Sequence, residues 1–312
     1  MKGELERDCS MGEIRDGFEV TDARKKLWKI ELDLLDIIET ICEVNGLNYF
    51  LIGGAAIGAA RHKGFIPWDD DIDIGMLRPD FEKLVSIIQS KQMDGYTVQY
   101  GIAEGFEKGT FLRVRDLNST AIIRSQMNIK DWSHGVFIEI YPFDKVPQAK
   151  LLRKTQKILS SVFKSELDHR IEGIPFGRKS RLLHILMKNI STEKIWRHWN
   201  NICQRYNDTD AEYVDTPALP CYVKAGIHLY PVKDVKSSVK VQYEDRMVRV
   251  ATGNDRCLQI HFGDYMKLPP VEQRGTRHNS IVFYDPEKSF GEYMDMVIPK
   301  RYFNGEHNLS PI

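Results

Sequence analysis

A pair of glycines, Gly53 and Gly54, directly follows the apolar segment 49–52, and this pair constrains the fold more than any other feature. Glycine lets a backbone turn sharply and approach a ligand closely, because it has no Cβ atom. If a helix begins at this turn, its free N–H groups and its dipole suit a phosphate group. We therefore predict a strand, a phosphate-binding turn at Gly53 and Gly54, and a helix.

Acidic residues then recur at every second position, at Asp69, Asp71 and Asp73, with Ile72 and Ile74 in the alternate positions. Side chains alternate between the two faces of a strand. We therefore predict a strand whose three carboxylates share one face while the isoleucines enter the core. A solvated acidic loop is the alternative, and the period-two apolar residues disfavour it. Carboxylates repel one another unless a cation neutralises them, and oxygen ligands suit Mg²⁺ or Mn²⁺.

Composition excludes several classes of protein. Across 312 residues, 44 basic side chains balance 44 acidic ones, so a nucleic acid is not an expected partner. The five cysteines include no Cys-x-x-Cys pair, which indicates reduced thiols. An apolar leader and any run long enough to span a bilayer are missing from the sequence. We expect a cytoplasmic protein without an integral membrane segment, in transient contact at most with the inner membrane face.

The pattern along the chain is mixed α/β. Residues 1–20 form a polar N-terminal segment, and Thr21 is placed to cap an amphipathic helix that ends near Gly46. Helical and strand-like segments alternate through residues 21–150, the predicted catalytic core. Residues 151–312 become helical in character and then carry two alternating segments, 239–243 and 247–250, that predict a hairpin. We interpret this last part as an extension that completes the cleft.

Three blocks resemble a known family. The glycine pair with Asp71-Ile72-Asp73 resembles the nucleotidyltransferase superfamily, and the long intervening segment 61–73 resembles the LicD family. Bacterial phosphocholine transferases and fukutin-related proteins are similar to that family. Residues 136–144 resemble its second acidic block, and residues 262–270 with Arg274 and His278 resemble its C-terminal block. The resemblance extends from about residue 47 to residue 278.

This resemblance implies a nucleotidyltransferase-like core and a metal-dependent reaction. A phospho-alcohol such as phosphocholine would move from a CDP-alcohol to a hydroxyl of a cell-surface glycan or of its lipid-linked precursor. Two alternatives remain open: transfer of a nucleotide itself, and a binding protein that kept the fold without the chemistry. The chain departs from the family pattern at Ala55, where a hydroxyl residue is usual, and at Glu139, where aspartate is usual.

The candidate site residues follow from these blocks. We predict Asp71, Asp73 and Glu139 as catalytic residues, with Glu139 acting as a metal ligand or general base and Asp144 as the alternative third carboxylate. The predicted metal ligands are Asp69, Asp71, Asp73 and Glu139, around Mg²⁺ or Mn²⁺.

Arg61, His62 and Lys63 are candidates for the diphosphate of the nucleotide donor, and ordinary surface charge is their alternative interpretation. Besides the glycine pair, the predicted substrate-binding residues are Arg61, His62, Lys63, Arg113, Arg115, Arg274 and His278. The aromatic residues Trp68, Trp132 and Tyr141 raise a second question, since they predict either core packing or a cage for a quaternary ammonium group.

Overall fold

A computed structural model describes residues 12–90, 94–101, 109–127, 129, 132–174, 180–217, 229–274 and 281–293. The helices are α1 (Asp22–Asn45), α2 (Gly53–Arg61), α3 (Arg78–Ser90), α4 (Lys150–Glu172), α5 (Ser180–Met187), α6 (Thr192–Gln204), α7 (Val232–Val235) and α8 (Asn254–Phe262). The strands are β1 (Glu13–Arg15), β2 (Phe18–Val20), β3 (Phe50–Leu51), β4 (Asp73–Leu77), β5 (Tyr96–Gly101), β6 (Gly109–Asp116), β7 (Thr120–Ile123), β8 (Phe137–Val146), β9 (Tyr213–Asp215), β10 (Tyr230–Pro231), β11 (Ser238–Tyr243), β12 (Arg246–Ala251) and β13 (Ile281–Asp285).

One large mixed sheet organises the protein. Its strand order is β10-β9-β8-β4-β3-β12-β11, and β6 also pairs with β8 and carries β5 at its other edge. The β4–β8 and β12–β3 pairs are parallel, whereas β3–β4, β6–β8 and β11–β12 are antiparallel. This arrangement confirms the predicted α/β fold with a mixed sheet.

The first long helix forms as its sequence predicts. Thr21 caps α1, with its hydroxyl accepting a hydrogen bond from the Arg24 N–H at 3.3 Å. Gly46 ends the helix at a φ of 63°, in the left-handed region that glycine adopts without strain. Leu27 and Ile38 lie on the buried face between these ends. Packing of this apolar face, more than helix propensity, stabilises α1.

Apolar side chains cover both faces of the sheet. On β3, Leu51 belongs to the core that contains the α1 and α3 side chains, while Phe50 belongs to a second core that includes Leu167 of α4 and Trp199 of α6. Neighbouring strand residues point to opposite faces, so this division shows helices packed on each side. Charged groups on the central strands therefore lie in a region of low dielectric constant.

The predicted hairpin is confirmed and belongs to the same sheet. Strand β11 pairs with β12 along its whole length, and β12 pairs with β3 where Val250 lies opposite Leu51. The hairpin of the C-terminal half therefore lies beside the strand that leads into the glycine turn. The boundary near residue 150 stays a prediction. Within the described ranges, no helix is both long and apolar enough to cross a bilayer.

Candidate active site

The glycine pair lies against the carboxylates. Gly53 has a φ of 59°, and a Cβ atom built on it would lie 3.3 Å from Asp73 Oδ2. A Cβ atom on Gly54 would lie only 2.0 Å from Asp69 Oδ2. The absence of side chains at both positions therefore lets two carboxylates reach the N-terminus of α2. The positive end of the α2 dipole favours negative charge at this place.

The predicted acidic strand is wrong over residues 69–72, because β4 begins only at Asp73. The backbone of the preceding segment is engaged elsewhere. The Asp69 carbonyl accepts hydrogen bonds from Arg24 Nη1 at 2.7 Å and Trp28 Nε1 at 3.0 Å, and its N–H donates to the Ile66 carbonyl at 2.9 Å. These contacts close a turn in which strand alternation no longer applies.

This turn adds a fourth carboxylate, that of Asp70, to the predicted group of Asp69, Asp71 and Asp73. Carboxylate oxygens of Asp69, Asp70 and Asp71 lie within 4.8 Å of one another. Strict alternation would have turned Asp70 away from its neighbours. We call residues 69–73 the acidic loop, and its carboxylates form the candidate centre of the site.

A polar row crosses the sheet beside this loop. Asp73 on β4 lies opposite Glu139 on β8, which lies opposite Arg113 on β6, which lies opposite Gln99 on β5. Arg113 donates to Glu139 Oε1 from Nε at 2.8 Å and also from Nη2, and to Gln99 Oε1 at 2.7 Å. The Tyr141 hydroxyl donates to Glu139 Oε2. Glu139 is therefore held in place by an arginine and a tyrosine next to Asp73.

The electrostatics of the site favour a cation. Burial, followed by the charges of Asp71, Glu139 and Asp69, raises the pKa of Asp73 well above its usual range. Burial and Asp71 likewise raise the pKa of Asp69. No donor among the described residues reaches the enclosed Asp73 Oδ1 atom. An all-oxygen set with an unsatisfied buried carboxylate oxygen fits Mg²⁺ or Mn²⁺, and such an ion would reverse these pKa shifts.

A further carboxyl group, missed in the sequence, faces the loop from α1. Glu31 is 1 % exposed, and its Oε2 atom has no hydrogen-bond partner among the described residues. Burial, then Asp71, Asp70 and Asp69, raise the pKa of Glu31 well above its usual range. The helical spacing could have identified this carboxyl group as buried, because position 31 falls four residues after Leu27, within the buried stripe of α1.

The basic segment that begins at the last residue of α2 lies away from the carboxylates. Arg61 is eight residues along α2 from Gly53, which corresponds to about 12 Å. Its Nη1 atom donates to the carbonyls of Tyr265 at 2.5 Å and Lys267 at 3.3 Å. Arg61 therefore fastens the C-terminal part of the chain to α2.

The next two residues make contacts of the same kind. His62 Nε2 lies 3.0 Å from Asp16 Oδ2, and burial together with Arg61 lowers the pKa of the imidazole. Lys63 has a φ of 54°, and its carbonyl accepts from the Glu244 N–H at 2.7 Å. Neither contact involves the acidic loop, and the predicted diphosphate role of both residues stays a prediction.

Two further basic candidates, Arg115 and Arg274, also make contacts away from the acidic loop. Arg115 is fully buried and donates to the Gly135 carbonyl at 3.0 Å and to Gln126 Oε1 at 2.7 Å. Arg274 donates to the Asp16 carbonyl at 2.5 Å, and its guanidinium lies 5.1 Å from the centre of the Trp68 ring. His278 lies outside the described residues. Among the described basic candidates, Arg113 is therefore the one that donates hydrogen bonds to a predicted site carboxylate, that of Glu139.

Asp144, the alternative third carboxylate, has another partner. It accepts from Arg78 Nε at 2.8 Å and Nη2 at 2.5 Å, and from Asn207 Nδ2 at 2.7 Å. It is five residues from Glu139 along β8, or about 16 Å. The geometry thus favours Glu139 as the carboxylate beside Asp73.

The aromatic candidates pack against different neighbours. Trp68 packs against Phe18 and His62, whereas Tyr141 stacks on Phe111. These contacts support core packing for both rings. A cage that also includes Trp132 stays an untested alternative.

Known proteins resemble this chain over the same region. Residues 46–178 match the family model described as LicD/FKTN/FKRP, nucleotidyltransferase domain. A lipopolysaccharide cholinephosphotransferase LicD of Haemophilus influenzae is 28 % identical over 262 residues, which cover 79 % of this chain and 92 % of that protein. An uncharacterized protein of Rickettsia prowazekii is 40 % identical over 32 % of this chain and 40 % of its own length.

A shorter match comes from human ribitol 5-phosphate transferase FKRP. It is 48 % identical over 40 residues, which cover 13 % of this chain and 8 % of that protein. The family model contains the glycine turn, the acidic loop and Glu139, the parts that the structure brings together. Residues 46–178 are therefore similar to the nucleotidyltransferase domain of the LicD, FKTN and FKRP family, and the similarity to the Haemophilus influenzae protein extends over most of the chain.

Proposed function

We propose that this protein transfers a phospho-alcohol from a CDP-alcohol to a hydroxyl group of a glycan, in a reaction that requires Mg²⁺ or Mn²⁺. The observation that carries the proposal is the convergence of Asp69 and Asp73 on the N-terminus of α2, where glycines leave the backbone open. The N-terminus of a helix favours phosphate, but carboxylates at the same place repel it. A diphosphate can approach both only with a cation between them.

The residues then take distinct roles. Asp71 and Asp73 would hold the ion, with Asp69 and Glu139 as the further candidate ligands. When bound, the ion would neutralise the diphosphate and the charge that develops on the departing nucleotide phosphate. Arg113 orients Glu139 through two hydrogen bonds. Glu139 is thereby positioned as a ligand or as the base for the attacking hydroxyl.

The relatives support this class of reaction in general terms. The names of the Haemophilus influenzae and human relatives specify transfer of choline phosphate and of ribitol 5-phosphate. Both groups are phospho-alcohols, and the first name also specifies lipopolysaccharide. The CDP-alcohol donor, the glycan or lipid-linked glycan acceptor, the metal requirement and a cytoplasmic location belong to our proposal.

Product release tests the reaction directly. Purified protein is incubated with Mg²⁺, a panel of CDP-alcohols and a panel of nucleoside triphosphates, with lipopolysaccharide or teichoic acid as acceptor. We expect CMP from one CDP-alcohol, a loss of product with EDTA, and a loss in the Asp71→Asn/Asp73→Asn variant. The matched control is Asp245→Asn, because the Asp245 side chain is 81 % exposed and lies in the β11–β12 turn.

Other products would contradict the proposal. Pyrophosphate released from a triphosphate indicates transfer of a nucleotide, the reaction that the family description "nucleotidyltransferase domain" keeps as a second candidate. Binding of a CDP-alcohol with no turnover across acceptors, and no effect of Mg²⁺ on its affinity, indicates a binding protein of the same fold. Either result would rule out phospho-alcohol transfer as the reaction of this protein.

A further inference from the structure

Helix α4 carries an apolar face that points away from the rest of the protein. We define the leucine face as Leu151, Leu152, Ile158 and Leu159. Leu151 is 76 % exposed and Ile158 is 53 % exposed. The spacing of seven residues returns to almost the same direction on an α-helix, so the four side chains occupy one sector two turns long. Large side chains of this kind are seldom grouped on a surface without a partner.

A different side of α4 attaches the helix to the protein. Ser160 and Leu167 are buried, and Gln156 Nε2 donates to the Ile202 carbonyl of α6 at 2.9 Å. These positions are separated by four and seven residues, which places them on one side of α4, the side that faces α6. The leucine face is therefore not needed to dock α4 onto its neighbours.

Basic residues accompany the leucine face. Lys150, Lys154 and Lys157 recur at steps of four and three residues, so they form a row along one flank of it. Arg153 adds a fourth positive charge, and residues 150–165 contain no Asp or Glu. The net charge of the whole chain is zero. The positive charge of this half of α4 is therefore a local feature that selects an anionic partner.

We propose that the N-terminal half of α4 docks onto an anionic lipid surface, with the leucine face in the acyl boundary and the lysine row at the headgroups. An amphipathic helix binds an interface in this way when apolar side chains line one face and Lys or Arg line the polar flank. Long lysine side chains can follow apolar surface while the ammonium group reaches the phosphates. Lysines along one flank and the lack of acidic residues over 150–165 favour an anionic lipid surface as the partner of this exposed apolar sector.

The lipid-binding surface lies away from the candidate active site. Glu139 is seven residues from Val146 at the end of β8, or about 23 Å, and α4 begins beyond that end. Substitutions on the leucine face therefore leave the acidic loop intact. Lipid binding and phospho-alcohol transfer can fail or succeed independently of one another.

Vesicle co-sedimentation of the full chain tests the proposal. We expect binding to phosphatidylcholine vesicles that contain phosphatidylglycerol, and binding that weakens with added salt. The Leu151→Gln/Ile158→Gln variant should partition about 100-fold less, since two large apolar side chains no longer leave water. The Lys150→Gln/Lys154→Gln variant should partition about 30-fold less into anionic vesicles and show a shallower salt dependence.

The matched control is Val44→Gln, which removes an apolar side chain that is 78 % exposed on α1. It should bind vesicles as the parent protein does, and circular dichroism should show each variant folded. Absence of vesicle binding by the parent protein would overturn the proposal, as would equal binding by all variants. Concentration-dependent dimers in sedimentation velocity, lost in Leu151→Gln/Ile158→Gln without vesicle binding, would assign the leucine face to a second copy of the chain.

Discussion

Substitution of Gly54 by alanine should separate the geometry of the acidic loop from the stability of the fold. The new Cβ atom would lie 2.0 Å from Asp69 Oδ2 and 3.0 Å from Asp69 Cγ. Ordinary contacts begin near 3.4 Å, so the carboxylate must move by about 1.4 Å. Displacement of a reacting or ligating group by about 1 Å can lower a rate by about 100-fold. We expect at least that loss in kcat/KM.

The free energy of unfolding should change much less. Overpacking costs about 1–3 kcal/mol, and alanine recovers about 0.5–1 kcal/mol relative to glycine inside a helix. A net cost of about 0–2.5 kcal/mol corresponds to a fall in Tm of less than about 10 °C for a chain of this size. Differential scanning fluorimetry measures the Tm, and Mn²⁺ electron paramagnetic resonance measures metal affinity without relying on turnover.

Two further variants complete this test. Gly291→Ala is the control, because the nearest atom to its Cβ among the described residues would be Ser289 Oγ, at an ordinary contact distance of 3.6 Å. Gly54→Ala/Asp69→Gly removes the clash and should recover stability without recovering metal affinity, a non-additive result expected of contacting residues. A folded Gly54→Ala protein with the parent's Mn²⁺ affinity and turnover would refute our assignment of Asp69 to the site.

Three other outcomes follow from the same contacts. Asp73 has a raised pKa in the folded protein, so it binds a proton more readily there than in the unfolded chain, and metal-free stability should fall as pH rises above about 4. Asp73→Asn should therefore raise the metal-free Tm at alkaline pH while abolishing Mn²⁺ binding; a lower Tm would contradict charge repulsion at Asp73. Arg113→Gln leaves the buried Glu139 carboxylate without its cation and should lower the free energy of unfolding, measured in urea, by about 3–5 kcal/mol. The Arg113→Gln/Glu139→Gln double variant should recover part of this loss. An equal loss in the single and the double variant would exclude the ion pair as the cause. Asp144→Asn should destabilise the fold through Arg78 but leave Mn²⁺ affinity unchanged, and a loss of Mn²⁺ binding would place Asp144 in the site after all.

Local patterns predicted the secondary structure well where one period dominated. The helix after Thr21, the strand containing Asp73 and Ile74, and the hairpin at 238–251 are all present. Each depends on residues a few positions apart, whose spacing alone determines which face is apolar. The prediction failed over residues 69–72, because side chains of α1, distant in sequence, bind the backbone that a strand would have used.

The sequence by itself determined which groups are available to the site: two glycines without side chains, a run of carboxylates and an apolar strand before them. Only the tertiary structure decided which of these groups meet. The row from Asp73 to Gln99 depends on strand order and register, which arise from contacts across the whole chain. A shift of one residue in register would move every side chain of a strand to the opposite face of the sheet. Glu31 faces the acidic loop, and Arg61 turns to a distant segment, because packing of the helices on the sheet places them there.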